Sequence, residues 1–297
     1  RNLHKEAKII FNNLLSSHPL GLAWSAFIDK DIKMINTIDD LSIDFVHPFR
    51  RESIDILSWV NNNYNSWKWK YLLSLNLWAK NREKEALEIL VSCDNAPNIA
   101  TFYASRAFLK NKLKELSAEK DIQLSVKYAK NSPPVYINAI QFLQQGNDWS
   151  NALEISKNAL QLFSNNFNIQ ILHAKSLLYL NELDSAIEIL SQTNVLPSEV
   201  GKESHNIYVS LHLAKAIEYL KERNSQMASS FIDKSKKWPK NLGIGKPYEP
   251  DYSIQKIMMT VLNGKYNDKE IKSELKKLLK KYKGYKNYLI AELIALI

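Results

Sequence analysis

The chain has 297 residues, 45% of them apolar, a formal net charge of +9 and one cysteine. That apolar share is ordinary for a globular protein, and no run nears the roughly 18 apolar residues of a membrane-spanning helix, so no membrane span is expected. A lone Cys93 excludes an internal disulfide and a cysteine-based zinc site, and it fits either redox regime. Localisation is therefore open, with the cytoplasm slightly favoured over the periplasm. The chain starts at Arg1 with a helical pattern and no charged-then-apolar leader, so it reads as a piece excised from a longer protein.

Prolines and glycines fall between stretches of helical periodicity, and period-two alternation is nearly absent, so the expected fold class is all-α with no sheet. Leu3 to Ser16 sets Ala7, Ile10, Phe11, Leu14 and Leu15 on one face of a first helix. A second helix follows a break at Pro19–Gly21 and runs to about Ile35. Asn36–Pro48 reads as a connection, and Arg50 to Val60 as a third helix carrying Ile54, Leu57 and Trp59.

From Trp67 onward the chain reads as helical hairpins. The first pairs Trp67–Lys80 with Arg82–Ser92, with Ser74 and Ala86 as its small residues. The second, Ile99–Lys110 and about Glu115–Ala129, is irregular, with a lengthened turn. The third is Val135–Gln145 and Trp149–Phe163, with Ala152 and Ala159 small. The clearest is the fourth, Asn168 to Thr193, where Ala174 and Ala186 let two antiparallel helices approach closely. Ile207–Lys221 and Ser225–Lys237 form the fifth, pairing Ala216 with Ala228. Ala152 and Ala186 lie 34 positions apart, Ala86 and Ala152 66, and Ala186 and Ala228 42, the excess falling around Pro197–Glu203. One such hairpin cannot bury its own apolar face, so the copies must stack.

Three helices follow Pro250: Tyr252–Leu262, Lys269–Lys281 and Tyr285–Ile297. The last carries Leu289, Leu293 and Leu296 on one face and Ile290, Ile294 and Ile297 on another. It is expected to be wedged between neighbours or covered by another chain.

These intervals and small residues resemble the tetratricopeptide repeat, over roughly Trp67 to Lys240. The resemblance implies a right-handed superhelical solenoid of helix hairpins: an N-terminal helical extension at 1–66, repeats at 67–247 and a C-terminal helical cap at 248–297. Three phrases carry a narrower likeness: Val46-His47-Pro48-Phe49-Arg50-Arg51-Glu52, Trp67-Lys68-Trp69-Lys70-Tyr71, and Trp238 through Pro247. Together they resemble the tetratricopeptide tail of large bacterial proteins that carry a β-rich, mutarotase-like domain of unknown function. The glycan-uptake relatives of outer membranes have large insertions that this chain lacks.

In the tetratricopeptide pattern the first helix of each hairpin lines the concave face. That implies a ligand groove built from Lys68, Tyr71, Leu75, Trp78 and Ala79, from Asn168, Ile171, Lys175, Leu178 and Tyr179, and from Leu213, Ile217 and Leu220. Six of these are the candidate ligand-groove residues: Lys68, Tyr71, Leu75, Trp78, Lys175 and Tyr179. Aromatic groups there would anchor a peptide or platform a sugar, or else fill the junction with the N-terminal helices. The Lys/Asn clamp for acidic chaperone tails is not expected, because Tyr71, Leu75 and Ile171 stand at the matching positions.

No catalytic constellation, metal site or cofactor is expected. No histidine pair has HExxH spacing, His173 and Cys93 read as packing residues, and Gly243-Ile244-Gly245-Lys246 lacks phosphate-loop spacing and reads as a turn. The expected role is a non-catalytic protein–protein interaction scaffold with a protein or peptide ligand in the concave groove, the parent's own N-terminal domain being one such partner. The alternative is an accessory module of a carbohydrate-active or sugar-binding protein. Nine lysines between Lys265 and Lys286 open a lesser one, nucleic-acid binding, but a solvated helix face is the preferred reading of that run.

Overall fold

In the computed structural model, residues 18–297 are described except 116, 198, 199 and 265, together with residues 6 and 9. The expected first helix, Leu3 to Ser16, lies outside the described residues apart from those two positions. Helix is the only regular structure among the described residues. The chain divides into two compact units, Arg1–Lys130 and Asn131–Ile297.

Unit 1 contains α1 (Pro19–Asp29), a short α2 (Ile32–Ile35) running into a 3-10 turn (Asn36–Asp40), α3 (Glu52–Asn63), α4 (Trp67–Ala79), α5 (Glu83–Val91), α6 (Ala100–Lys112) and α7 (Ala118–Lys127). Pro19 and Gly21 belong to α1 and do not precede it. A proline in the first helical position loses an N–H that would have no partner there anyway. Helix α1 packs on α3, and each of α3 to α6 packs on its successor. Trp69 is fully buried, and its indole donates to the Ile35 carbonyl at 3.1 Å, tying α4 to the N-terminal helices.

Unit 2 contains α8 (Pro133–Gln145), α9 (Trp149–Leu162), α10 (Phe167–Tyr179), α11 (Leu183–Gln192), α12 (Val200–Lys221), α13 (Ser225–Ser235), α14 (Ser253–Leu262), α15 (Asp268–Lys281) and α16 (Tyr285–Leu296). Each helix from α8 to α13 packs on its successor. The first helices of successive hairpins also touch, α8 on α10 and α10 on α12. That second set of contacts is what makes stacked hairpins a layered array.

One turn closes all five hairpins. A residue with left-handed backbone ends each first helix: Asn81, Lys114, Asn147, Asn181 and Arg223. The next residue's N–H returns to the carbonyl five back, as in Arg82 to Leu77 at 3.0 Å and Glu182 to Leu177 at 2.9 Å. This satisfies carbonyls that the helix end leaves open. Asparagine tolerates the conformation better than most residues. The turns recur at intervals of 33, 33, 34 and 42 residues, so the irregular second hairpin is in register with the rest. Side-chain caps open several helices, for example Asn166 accepting from Ile169 N–H at 3.2 Å and Asn224 from Met227 N–H at 3.1 Å.

The expected small pairs lie in the cores. Ala174, Ala186, Ala216 and Ala228 are fully buried, as is Ala86, and Ser74 nearly so. The 42-residue interval has a different source from the loop foreseen around Pro197–Glu203. Helix α12 starts at Val200, seven residues before the expected Ile207, adding about two helical turns of 3.6 residues. Its early turns are held by the segment after α13. Ser204 donates to the Leu242 carbonyl at 2.9 Å, and Asn241 donates to the carbonyls of Leu190 and Thr193 at the end of α11. Gly243 makes this approach feasible, because its φ is +70° and a Cβ there would lie 2.8 Å from the Val195 and Leu196 carbonyl oxygens.

Helix α16 is wedged as expected, packed on both α12 and α15 with Leu289, Ile290 and Leu293 buried. Lys221 of α12 pairs with its Glu292 at 2.6 Å. Apolar burial of this kind, at roughly 25 cal/mol per Å², holds the terminal helix in place far more firmly than one part-exposed ion pair.

Candidate functional site

The candidate residues of unit 1 are mostly engaged within it. Lys68 donates from Nζ to the carbonyls of Ile38, Asp39 and Leu41 at 3.2, 2.7 and 2.6 Å, capping the 3-10 turn. Tyr71 is 4% exposed with its ring 5.6 Å from Phe102, and burial pushes its hydroxyl pKa upward. Leu75 is half-buried. Trp78 is also half-buried, its ring 5.3 Å from that of the exposed Phe108.

In unit 2, Lys175 and Tyr179 open onto a cavity of about 590 Å³. Helix α10 supplies Lys175, Leu178 and Tyr179, and α12 supplies Glu203, Asn206, Ile207 and Ser210. The third wall is the corner between α15 and α16, residues 281–286. Of the expected groove residues on α12, Leu213 and Ile217 are buried and Leu220 is half-buried, on the helix against which α16 lies. The cavity thus sits on the layer of first helices, where the C-terminal corner closes one side.

Its floor is aromatic. Trp149 stacks on Tyr179 with ring centroids 3.7 Å apart and planes 9° from parallel, and Tyr285 meets Tyr179 edge-on at 5.0 Å. Burial raises the Tyr285 hydroxyl, and burial together with the neighbouring Asp251 carboxylate raises Tyr282, so both stay protonated donors across the neutral range. Its rim is cationic. Lys175 pairs with Glu203 at 2.7 Å and Lys281 with Asp251 at 2.6 Å. Burial alone would raise Asp251, yet hydrogen bonds from Lys281, Ser253 and Tyr282 outweigh it and hold the carboxyl well below its usual range. Lys286 donates to the Asn206 amide oxygen at 3.2 Å, and burial lowers its ammonium below the usual lysine range.

The wall of residues 281–286 was not among the expected site residues. It reads in sequence as part of a lysine-rich solvated stretch, and no local pattern reveals that it folds back onto α10 and α12. The tyrosines spaced through it, Tyr282, Tyr285 and Tyr288, were the available signal.

Cys93, His173, His205 and His212 are packed and desolvated. Burial raises the Cys93 thiol to about 11, and it lowers the imidazoles of His173, His205 and His212. His173 Nδ1 lies 2.8 Å from Ser156 Oγ, and His205 stacks on Trp238 at 3.6 Å. Among the described residues no group of three or more His, Cys, Asp or Glu is placed to hold a metal ion. Nor is any helix long and apolar enough to cross a membrane.

No protein-family model matches the chain, and no curated protein is significantly similar to it. Among solved structures it is similar to the C-terminal part of a TPR repeat-containing protein from Cytophaga hutchinsonii, at 14% identity over 79% of this chain and 90% of that one, TM-score 0.46. It is also similar to a tetratricopeptide repeat protein from Parabacteroides merdae, at 11% identity over 88% and 91%, TM-score 0.39. A chain of the Naa15/Naa10 structure bound to HypK-THB overlaps 98% of this chain at 12% identity and TM-score 0.48, this chain spanning 39% of it. The hairpins are defined by their own turns, spacing and small residues.

Proposed function

We propose that the chain is a non-catalytic scaffold that holds a segment of a partner protein, or of another part of its parent chain, in the cavity of unit 2. The observation that supports this reading is the composition of that cavity. Apolar Leu178 and Ile207, three tyrosines and several cationic or amide groups line one recess large enough for a few side chains. Such a mixture suits an extended peptide, which offers apolar anchors and backbone polar groups together. A sugar ligand has less support, since Trp149 already covers Tyr179 and the ammonium groups of Lys281 and Lys286 lie 5.4 and 5.3 Å from the Tyr282 ring centroid.

The reading is tested by selecting a random peptide library on the chain and repeating the binding with Asn206→Trp. Asn206 is an exposed lining residue, so the indole fills the mouth, and circular dichroism checks that the variant stays folded without the hydrogen bond from Lys286. The expected outcome is enriched peptides whose affinity falls at least about tenfold in the variant, a loss of about 1.4 kcal/mol. Peptides that bind both proteins equally would contradict the proposal.

A further inference from the structure

Deepening the peptide reading, on which this inference rests, we infer that the ligand of the unit 2 cavity is acidic: a peptide segment whose glutamate or aspartate carboxylates meet Lys283 and Lys286 while its apolar side chains enter beside Leu178 and Ile207. The charge balance of the lining carries the inference. Four lysines face one glutamate around the recess. Two are neutralised within the protein, Lys175 by Glu203 and Lys281 by Asp251.

Lys283 and Lys286 make no ion pair with any described residue. Lys286 is half-buried, and its contact is an amide oxygen rather than a carboxylate, with Asp251 acting only at longer range. A half-buried ammonium without a carboxylate partner is costly, and an incoming anion removes that cost. Desolvation on binding strengthens the attraction further, because the effective dielectric at the mouth falls.

A nucleic-acid strand offers anions too, but it also needs open ring faces for its bases. Trp149 covers one face of Tyr179, and Tyr285 meets that ring edge-on. Tyr282 already carries Lys281 and Lys286 against it. The lining also has no arginine, the side chain that suits bidentate phosphate contacts. Glutamate or aspartate carboxylates separated by apolar residues fit these walls better than stacked bases.

The test measures fluorescence anisotropy of a labelled peptide of glutamates interspersed with leucines, beside its glutamine counterpart, on the full chain. The acidic peptide should bind and the glutamine peptide should bind at least about tenfold more weakly, the scale of two part-exposed ion pairs. Raising the salt from low to physiological concentration should narrow that gap. Lys283→Gln/Lys286→Gln should remove most of it, and circular dichroism checks that the variant is folded. Asn206→Trp should weaken both peptides. If the two peptides bind alike and both lose affinity in Asn206→Trp, the peptide site stands and its acidic preference is overturned. If neither peptide responds to Asn206→Trp, both readings fail. Tighter binding of a single-stranded oligonucleotide that displaces the acidic peptide would overturn the assignment in favour of nucleic acid.

Discussion

Units 1 and 2 use the same hairpin but keep their buried polarity in opposite forms. In unit 1 the second hairpin holds a charged network. Arg106 makes two hydrogen bonds to Asp121, at 3.0 and 2.6 Å, and donates to the Asp94 carbonyl at 2.6 Å, while Lys110 reaches Asp121 at 2.9 Å. Arg106 and Asp121 are 5% and 1% exposed. In unit 2 the ionisable groups held in the packing are neutral imidazoles: half-buried His173 against Ser156, buried His205 on Trp238, and buried His212 with Nδ1 2.8 Å from the Tyr208 carbonyl. The contrast shows that the hairpin geometry specifies where helices cross and leaves open what fills the crossing. One unit is therefore vulnerable to loss of a partner charge, the other to gain of a proton.

The largest expected effect breaks unit 1. Asp121→Ala strands the Arg106 guanidinium in the core and should cost about 3–5 kcal/mol. Urea unfolding reads the loss, and hydrogen exchange should place it in α6 and α7. Replacing Arg106 by methionine together with Asp121→Leu should recover much of it, since the pair is costly to break rather than costly to replace.

In unit 2 the largest effect belongs to the backbone. Gly243→Ala puts a methyl against two carbonyl oxygens at positive φ and should cost about 2–3 kcal/mol. Thermal unfolding should show it, with exchange rising first around α11 and the early turns of α12.

Acid should then separate the units without mutation. Burial holds three unit 2 imidazoles below their ordinary value of about 6.5. Below about pH 6.5 the unfolded chain binds protons at these sites before the folded one, so unit 2 loses stability as pH falls through that window. Amide exchange at pH 5, corrected for its intrinsic pH dependence, should show weakened protection in α9, α10 and α12 relative to neutral pH. Equal weakening of α6 and α7 would erase the contrast.

The smallest effect lies in the turns. The first hairpin of unit 1 turns on Asn81 in the left-handed conformation, whereas the last hairpin of unit 2 places Arg223 there at φ 58°. Arg223→Asn should raise stability by about 0.5 kcal/mol, visible as a small shift in the unfolding midpoint.

Much of this was legible in the sequence, for local reasons. Hairpins with an alanine five residues after the turn residue announce themselves, as Ala86 follows Asn81 and Ala186 follows Asn181. The second hairpin was obscure because its turn is longer, with both Lys114 and Ser117 at positive φ, and because charged Asp121 is buried early in its second helix. The early start of α12 was obscure because Ser204 and Gly243 belong to contacts made across some forty residues. The cavity was half legible. Lys175 and Tyr179 show on the inner face of α10, but the wall from Lys281 to Lys286 arrives only because α16 returns to α12, a tertiary event with no periodic signature.

The most direct test of the account is hydrogen exchange on the chain with and without a peptide selected to bind it. The account predicts slowed exchange confined to residues 175–179, 203–210 and 281–286, with α4 and its Trp78 unchanged. Slowing centred on α4 and α6, or none around 281–286, would contradict it.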